Sequence, residues 1–441
     1  MDPHSAMKTP SHSDRPIGLA LLGCGTVGSG LLDIVTGHSE RLAASSGGEF
    51  QVIAIVVRCL DKERDPVVRT ELLTTDASSL IDDPRVDIVV ELMGGIEPAR
   101  TLVMQALRAG KAVVTANKAI IARFGPEFQA AAEQSGGSLH YEAAAAGAIP
   151  VVKVVAEALR GNQINELMGI VNGTCNYILT EMTQSGAPLS QALSNAQRLG
   201  YAEADPSSDI GGEDAAYKLT LLARLAFGAR VDIDAVHCEG IDSVSAEDIS
   251  RAQSLGYVVK LLAVGRRQSK GLDVRVHPTL VPAEHPLAAV HGAFNAVYLQ
   301  GDSSGPLMLY GQGAGRAATA SAVAADVIDA ARAIRSNGDT SGPISGFTET
   351  LPVLPIDDSL SRYYICLKVA DEPGVLAAVA NVFGEHQVSV ASCLQEGQGA
   401  TPVDLIFVTH TVRHGALMAA LAEIGSLSTV VSVAATMRVL R

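Results

Sequence analysis

The sequence predicts an α/β protein: a doubly wound parallel sheet first, an α+β domain second and a small ferredoxin-like module last. Three observations carry this reading. Short all-apolar runs alternate with helical stretches up to Pro150, which is the pattern of a parallel sheet wound by crossover helices. Longer strand-like runs then gather between 256 and 310. Last, beyond a stretch rich in Gly, Ser, Pro and Thr at Ser336–Pro355, the order is strand, helix, strand, strand, helix, strand.

The elements follow in chain order. Ile17–Leu22 (IGLALL) is apolar at every position, as a strand buried on both faces must be. GCGTVGSGLLDIV follows at once as a glycine-rich turn into a helix. Gln51–Val57, Asp87–Met93, Ala112–Thr115 and Ser138–Glu142 read as the next strands, with a helix at Glu97–Ala109. Past Pro150, Val151–Leu159, Tyr177–Gln184 and Ala246–Leu255 read as helices. Gly256–Arg266, Leu272–Pro278, Ala293–Gln300 and Leu307–Tyr310 read as strands of a mixed sheet. Gly311–Ile334 is an Ala-rich helix with a glycine-rich start, placed so that it can return to the first domain. Tyr363–Val369, Asp404–Thr409 and Val430–Val439 are strands of the last module, with a helix at Gly415–Gly425. The expected domains are 17–150, 151–335 and 361–441, with a disordered tail at 1–16 and a linker at 336–360.

Composition narrows the function. The chain has 441 residues, 47% apolar but only 4% aromatic with no Trp, so Ala, Val, Leu and Ile build its cores. A net charge of −14 argues against a nucleic-acid partner. The six cysteines lie far apart with no CxxC, which fits reduced thiols in a cytoplasmic protein. No run approaches the roughly 18 apolar residues of a membrane span, and the N-terminal stretch lacks the apolar core of a signal peptide.

Several motifs carry chemistry. Gly23, Gly25 and Gly28, with Thr26 and Val27, form G-x-G-x-x-G between a strand and a helix. In that context the glycines allow a tight turn and close approach of a pyrophosphate, bound by the helix amides. A bare strand–helix turn is the plain alternative. The second strand ends at Arg58 with no acid at its tip, which favours the 2′-phosphate of NADP over the free ribose of NAD. Asp61 follows closely, and Lys62 and Arg64 are further cations in reach. Lys118 lies just past the carboxyl end of a strand, the edge that faces the ligand crevice in such sheets. A cation there suits a cofactor phosphate, a substrate carboxylate or a developing oxyanion; a surface lysine is the alternative.

Gly200–Leu222 packs Glu203, Asp205, Asp209, Glu213 and Asp214 into one segment that runs into an apolar helix. Lys218 falls four residues after Asp214 on one helix face, together with Leu222. An inward Asp–Lys pair beside loose carboxylates suits a polar small molecule and a proton transfer. A capping salt bridge under an acidic loop reads the same residues without chemistry. Cys175, in NGTCNY at 172–177, is the one cysteine placed to be weighed as a nucleophile, as in phosphorylating aldehyde dehydrogenases, but no His has a suggestive context near it. Gly311–Gly315 is not a second fingerprint, because Arg316 fills its last slot, yet Gly315 can lend a backbone amide to the crevice. On the residues alone, the small-residue run Glu142–Pro150 reads as tight packing at the domain junction, with a monovalent cation held by free carbonyls as the alternative.

Together these segments strongly resemble homoserine dehydrogenase in its long bacterial form with a C-terminal ACT domain. The matching residues are GCGTVG at 23–28, TANKA at 115–119, EAAAAGAIP at 142–150, NGTCNYIL at 172–179, GYAEADP at 200–206, DAAYKLTLLA at 214–223, GAGRAATASAVAAD at 313–326 and DEPGVLAAVA at 371–380. The resemblance implies a Rossmann-type cofactor domain, a catalytic and dimerisation domain, and a regulatory ACT domain. It implies reversible NAD(P)-dependent interconversion of L-aspartate 4-semialdehyde and L-homoserine, in the biosynthesis of threonine, methionine and isoleucine. It further implies that Lys218 gives the proton to the aldehyde oxygen with Asp214 beside it, that Glu203 meets substrate, that Lys118 meets the nicotinamide end or substrate, and that Gly200 touches cofactor. Sodium is implied at Glu142, Ala145, Gly147 and Ile149, through the Glu142 backbone or carboxylate and the other carbonyls. Asp205, Asp209 and Glu213 fall back to loop or capping carboxylates. The ACT turn at Asp371, Pro373 and Gly374 is the implied effector site, with L-threonine as the effector and a homo-oligomer, dimer or tetramer, as the assembly. Cys175, where many relatives carry Thr, is implied to have no covalent role. A free lysine, with a pKa of about 10.4, supplies both the cation and the proton that an alkoxide needs. The reverse oxidation needs a neutral lysine and is expected to quicken as pH rises.

Overall fold

A computed structural model describes residues 15–336, 347, 349–396 and 402–440. The expected tail lies outside the described residues up to position 14, as do 337–346 and 348 of the expected linker. At the first described residue, the Arg15 guanidinium holds the Asp87 carboxylate at 2.7 Å through two nitrogens.

The chain divides into two units. The first comprises residues up to 163, 220–233 and 309–350. Its sheet contains β1 (Ile17–Leu22), β2 (Phe50–Val56), β3 (Leu73–Thr74), β4 (Ile88–Glu91), β5 (Ala112–Thr115) and β6 (Ser138–His140). They run in the order β3-β2-β1-β4-β5-β6, and every neighbouring pair is parallel. This is the doubly wound order whose ligand crevice opens at the carboxyl edge, where the winding reverses between β1 and β4. β1 is buried throughout, as its all-apolar sequence requires. One face meets the helix Thr26–Gly37 and the long helix Arg316–Ser336 through Leu31, Val35, Val323, Val327 and Ala330. Those helices come close at Gly30, where an added Cβ would lie 2.9 Å from the Arg316 carbonyl oxygen.

One helix of this unit, Lys118–Ser135, escapes the sequence reading because Gly125-Pro126 stands inside it. Proline removes a helical N–H, so the carbonyl four residues earlier loses its donor. That carbonyl is Ala122, and Arg224 supplies the replacement: Nη2 donates to Ala122 O at 2.6 Å and Nη1 to Ile121 O at 2.9 Å. Nε bonds Val231 O at 2.8 Å, so the buried guanidinium serves three carbonyls. Burial lowers its pKa to about 10, which still leaves it charged at neutral pH.

The second unit comprises 164–219, 234–308 and 351 onward. It contains β7 (Ile164–Ile170), β8 (His237–Cys238), β9 (Tyr257–Gln268), β10 (Gly271–Pro282), β11 (Phe294–Gly301) and β12 (Gly305–Gln312), through which the chain returns to the first unit. The C-terminal module adds β13 (Leu360–Val369), β14 (Val390–Glu396), β15 (Val403–Thr409), β16 (Val412–Arg413) and β17 (Val430–Val439). With its helices Val375–Glu385 and His414–Ile424 it has the expected βαββαβ order. Val379, Phe383, Leu417 and Leu421 pack on Ile365, Leu367, Leu405 and Phe407 to form its core.

The module is not a bead on a linker. β17 pairs in parallel with β10 over Thr279↔Arg438 and Leu280↔Val439, and the sheet runs β12-β11-β7-β9-β10-β17-β13-β15-β14 without a break. No helix among the described residues is long and apolar enough to cross a membrane.

Candidate active site

On the first unit, the glycine turn follows β1. Gly23 has φ +95°, and an added Cβ would press within 2.8 Å of the Leu92 carbonyl oxygen, so only glycine fits. The helix Thr26–Gly37 starts at Gly25 without a side-chain cap, and its first intrahelical bond comes from Ser29 N to Gly25 O. The amides of Thr26, Val27 and Gly28 therefore have no acceptor within the helix. An added Cβ at Gly25 would meet nothing within 4 Å. A bare helix start with an open approach fits a pyrophosphate. Arg58 is exposed after β2. Arg64 turns back instead: Nη2 bonds the Cys59 carbonyl at 2.6 Å and Nη1 reaches the Cys24 carbonyl at 3.5 Å. Gly315, with φ +119°, precedes Arg316, which pairs with Asp33 at 2.6 Å and Asp65 at 2.5 Å.

Lys118 opens its helix directly after β5, at the same sheet edge as the glycine turn. β4 separates β1 from β5, so two strand spacings of about 4.8 Å put the two features roughly 10 Å apart. The last residue of β4, Glu91, is fully buried and accepts from Met93 N at 2.8 Å, Gly94 N at 3.3 Å and Thr115 Oγ1 at 2.5 Å. Asn117 caps the Lys118 helix and donates from Nδ2 to Gly95 O at 2.8 Å. Glu91, Thr115 and Asn117 thus fix the Gly94-Gly95 turn and the backbone entering Lys118. Sequence reasoning passed over all three, although TANKA holds two of them and an acid ending an apolar strand was a signal.

The small-residue segment is tightly folded. Gly147 has φ +58°, and an added Cβ would lie 2.4 Å from the Gly313 carbonyl carbon. Both Glu142 carboxylate oxygens are taken, accepting from Val152 N at 2.8 Å and Lys153 N at 2.9 Å. Ala145 N donates to Glu142 O and Val151 N to Ile149 O. Among the described residues, no group of three or more His, Cys, Asp or Glu side chains is placed to hold a metal ion.

On the second unit, the acidic segment folds back onto NGTCNY. Lys218 Nζ donates to Asp214 Oδ2 at 2.8 Å and to Val171 O at 2.8 Å. Asn172 Nδ2 donates to the same Asp214 oxygen at 2.8 Å and to Asp209 Oδ1 at 2.7 Å. Its own Oδ1 caps the helix Gly173–Ser185 at Cys175 N. Asp214 is buried and the Lys218 side chain is 12% exposed, so the pair is sheltered while a face stays open. Asp209 belongs to this cluster, which corrects its place among plain loop carboxylates. Asp205 and Glu213 stay outside: Asp205 accepts from Ser207 N, and Glu213 from Tyr217 OH. Glu203 is exposed on the loop, where its carbonyl accepts from Gln197. Gly200 has φ +79° and open space at its Cβ position. Cys175 is buried, donates to Asp209 O at 3.1 Å, and has its thiol pKa pushed well up by burial, which opposes a thiolate nucleophile.

In the C-terminal module, Asp371 accepts from Gln395 Nε2 at 3.1 Å, and Gly374 at φ +95° starts the helix Val375–Glu385. Asp371, Pro373 and Gly374 are exposed.

Comparison with known proteins decides among the chemistries this arrangement allows. Residues 23–142 match the family model described as homoserine dehydrogenase, NAD binding domain; 150–328 match homoserine dehydrogenase; and 363–428 match the ACT domain. A homoserine dehydrogenase of Synechocystis is 46% identical, covering 96% of this chain and 99% of its own. The chain belongs to the homoserine dehydrogenase family. The solved structure of a homoserine dehydrogenase from Thiobacillus denitrificans agrees with a TM-score of 0.92 at 42% identity, covering 97% of this chain and 98% of that one. A hyperthermophilic archaeal homoserine dehydrogenase solved in complex with NADPH agrees at 0.61 and 28% identity, covering 72% and 98%. Homoserine dehydrogenase is an oxidoreductase, and the chain carries its nicotinamide-cofactor domain, its catalytic domain and an ACT domain. The rival reading, a phosphorylating dehydrogenase acting through Cys175, is set aside.

Proposed function

We propose that L-homoserine and L-aspartate 4-semialdehyde are interconverted at the Asp214–Lys218 face, with NADP preferred over NAD. The observation that carries this reading is the sheltered Lys218 ammonium, bonded to Asp214 and bordered by Asp209 and Asn172. The bound nicotinamide supplies and accepts the hydride. In the reducing direction, hydride arrival at the aldehyde carbon leaves an electron pair on its oxygen. The Lys218 Nζ gives that oxygen a proton, held in place by its hydrogen bond to the Asp214 carboxylate. In the oxidising direction a neutral Lys218 takes the hydroxyl proton. Glu203 and Asp209 accept the substrate ammonium, and Lys118 holds the nicotinamide end or the substrate carboxylate.

Gly23, Gly25, Thr26, Val27 and Gly28, with Gly315, would hold the cofactor, and Gly200 is a further residue that would touch it. Arg58 meets the 2′-phosphate, an assignment supported by the lack of an acid at the end of β2. Sodium, if it binds the 142–149 segment, does so through the main-chain oxygens of Glu142, Ala145, Gly147 and Ile149, since the Glu142 carboxylate already serves two amides. The ACT module senses L-threonine at Asp371, Pro373 and Gly374, and the chain works in the cytoplasm as a dimer or tetramer. The domain limits proposed are 17–150, 151–335 and 361–441, with the 310–335 segment returning to the first domain and a linker at 336–360.

One assay tests the proposal: NADPH formation from L-homoserine at alkaline pH. NADP is compared with NAD, and each reaction is run with and without sodium and L-threonine. Faster turnover with NADP, and inhibition by millimolar threonine, is the expected result. Equal use of both cofactors removes the Arg58 assignment, and indifference to tens of millimolar threonine removes the effector.

A further inference from the structure

The second unit contains a polar chain that no step above uses, running from a buried arginine to a half-exposed glutamate and histidine. Arg438, on β17, is 4% exposed, and its Nη1 donates to Glu239 Oε1 at 2.8 Å. Its Nε and Nη2 lie buried without a hydrogen-bond partner among the described residues, while the guanidinium sits 5.7 Å from the Tyr363 ring centre. Glu239 is therefore the counter-charge on which this buried cation depends. His237 Nε2 lies 2.7 Å from the same Glu239 oxygen. Burial pushes the Glu239 carboxyl up, but the His237 and Arg438 contacts outweigh it and hold the pKa down at about 2.

Glu239 stands at the start of a segment locked against the entrance to the Asp214–Lys218 helix. Its amide donates to Val276 O at 2.8 Å, anchoring it to β10. Cys238 Sγ donates to Gly211 O at 3.3 Å, and Ile241 N to Ile210 O at 2.8 Å. Gly240 packs directly on this turn and leaves no room for a side chain: an added Cβ would lie 2.1 Å from Ile210 O. Gly212, at φ +83°, lies so close that its Cβ would stand 2.9 Å from Cys238 Sγ. Ala216 N then bonds Gly212 O in the first turn of the helix that carries Asp214 and Lys218.

We propose that Glu239 is a positioning residue: gripped by Arg438 of the last ACT strand, it fixes the Ile210–Gly212 turn and so the Asp214–Lys218 face. A shift of β17 is thereby read at the substrate face without contact between effector and substrate. This inference rests on the reading of Asp214 and Lys218 given above.

The test uses the full chain with Glu239→Gln, which keeps the shape and removes the charge, alongside Arg438→Met, Arg438→Lys and the double variant Glu239→Gln/Arg438→Met. Hydrogen exchange is followed at the amides of residues 210–214 and 241, together with KM for L-homoserine, KM for NADP and Tm. Expected for Glu239→Gln is faster exchange at those amides and a roughly five-fold higher KM for L-homoserine, with KM for NADP unchanged, the pattern of lost substrate binding. Arg438→Lys restores part of the effect, and the double variant is no worse than the poorer single one, as coupled residues behave. Unchanged exchange at 210–214 in Glu239→Gln overturns the proposal, as does a parallel rise in both KM values that tracks a fall in Tm. Arg438→Met is the variant at risk of not folding; half-exposed Glu239→Gln keeps the test decisive without it. Should Lys218→Ala retain activity, the substrate-face reading falls while the exchange result still judges the coupling.

Discussion

Lys218 Nζ and Asn172 Nδ2 converge on one oxygen, Asp214 Oδ2, each at 2.8 Å. One carboxylate thus joins the catalytic helix to the N-cap of the helix Gly173–Ser185. Asn172→Ala removes the cap, worth about 1 kcal/mol, and the donor that aims Asp214. We expect kcat/KM for L-homoserine to fall between about ten- and two-hundred-fold, the range of a lost charge-assisted hydrogen bond at about 1.5–3 kcal/mol. KM for NADP should hold. Steady-state kinetics with both substrates varied checks this.

Arg224 replaces the helical donor that Pro126 lacks. Arg224→Met keeps much of the side-chain volume but removes the donor to the Val231 carbonyl and to the Ala122 carbonyl, which Pro126 already leaves without a helical N–H. Orphaned buried acceptors cost about 1–3 kcal/mol each before relaxation, so a loss of about 3 kcal/mol or more is expected. Urea unfolding monitored in parallel with wild type measures it. Arg224→Met/Pro126→Ala should recover part of the loss, because replacing the proline restores the helical N–H that Ala122 O lacks.

Asp326 on the helix Arg316–Ser336 predicts a pH effect. Burial raises its pKa to about 7, although Lys153 Nζ lies 3.4 Å away and Glu142 N–H donates to it at 2.8 Å. A free Asp titrates near about 3.9. Between those values the folded protein holds a proton that the unfolded chain gives up. The stabilisation is full below the unfolded pKa and is lost as pH rises through the folded one, at about 1.4 kcal/mol per pH unit at most. Asp326→Asn keeps an acceptor and never ionises. Its Tm relative to wild type should therefore rise from pH 4 to about pH 7 and level off above it; a constant offset contradicts the assignment.

For the cofactor, Arg58→Ala is expected to raise KM for NADP about tenfold, roughly 1.4 kcal/mol, and to leave KM for NAD alone. Initial rates at saturating L-homoserine decide it. Equal losses with both cofactors place Arg58 elsewhere than at the 2′-phosphate.

Much of this was legible in the sequence where the signal is local. All-apolar strands such as Ile17–Leu22 announce a parallel sheet, and the Asp214–Lys218 spacing announces a shared helix face. What escaped is long-range. Asn172 meets Asp209 and Asp214 across 37 and 42 residues, which no periodicity reports. The helix through Pro126 forms because Arg224 arrives from a hundred residues away. β7 (INELMGI) was missed because Glu166 interrupts its apolar pattern, and Arg266 on β9 pairs with that charge. The join of β10 to β17 rests on two residue pairs, too few to leave a pattern.

The most direct test of the central claim is turnover of Lys218→Ala with L-homoserine and NADP, measured beside NADPH binding by fluorescence. Loss of a general acid–base group costs about 10²–10⁴ in rate. The account predicts a fall in kcat of about a thousand-fold or more with NADPH affinity within two-fold of wild type. A kcat within tenfold of wild type contradicts it.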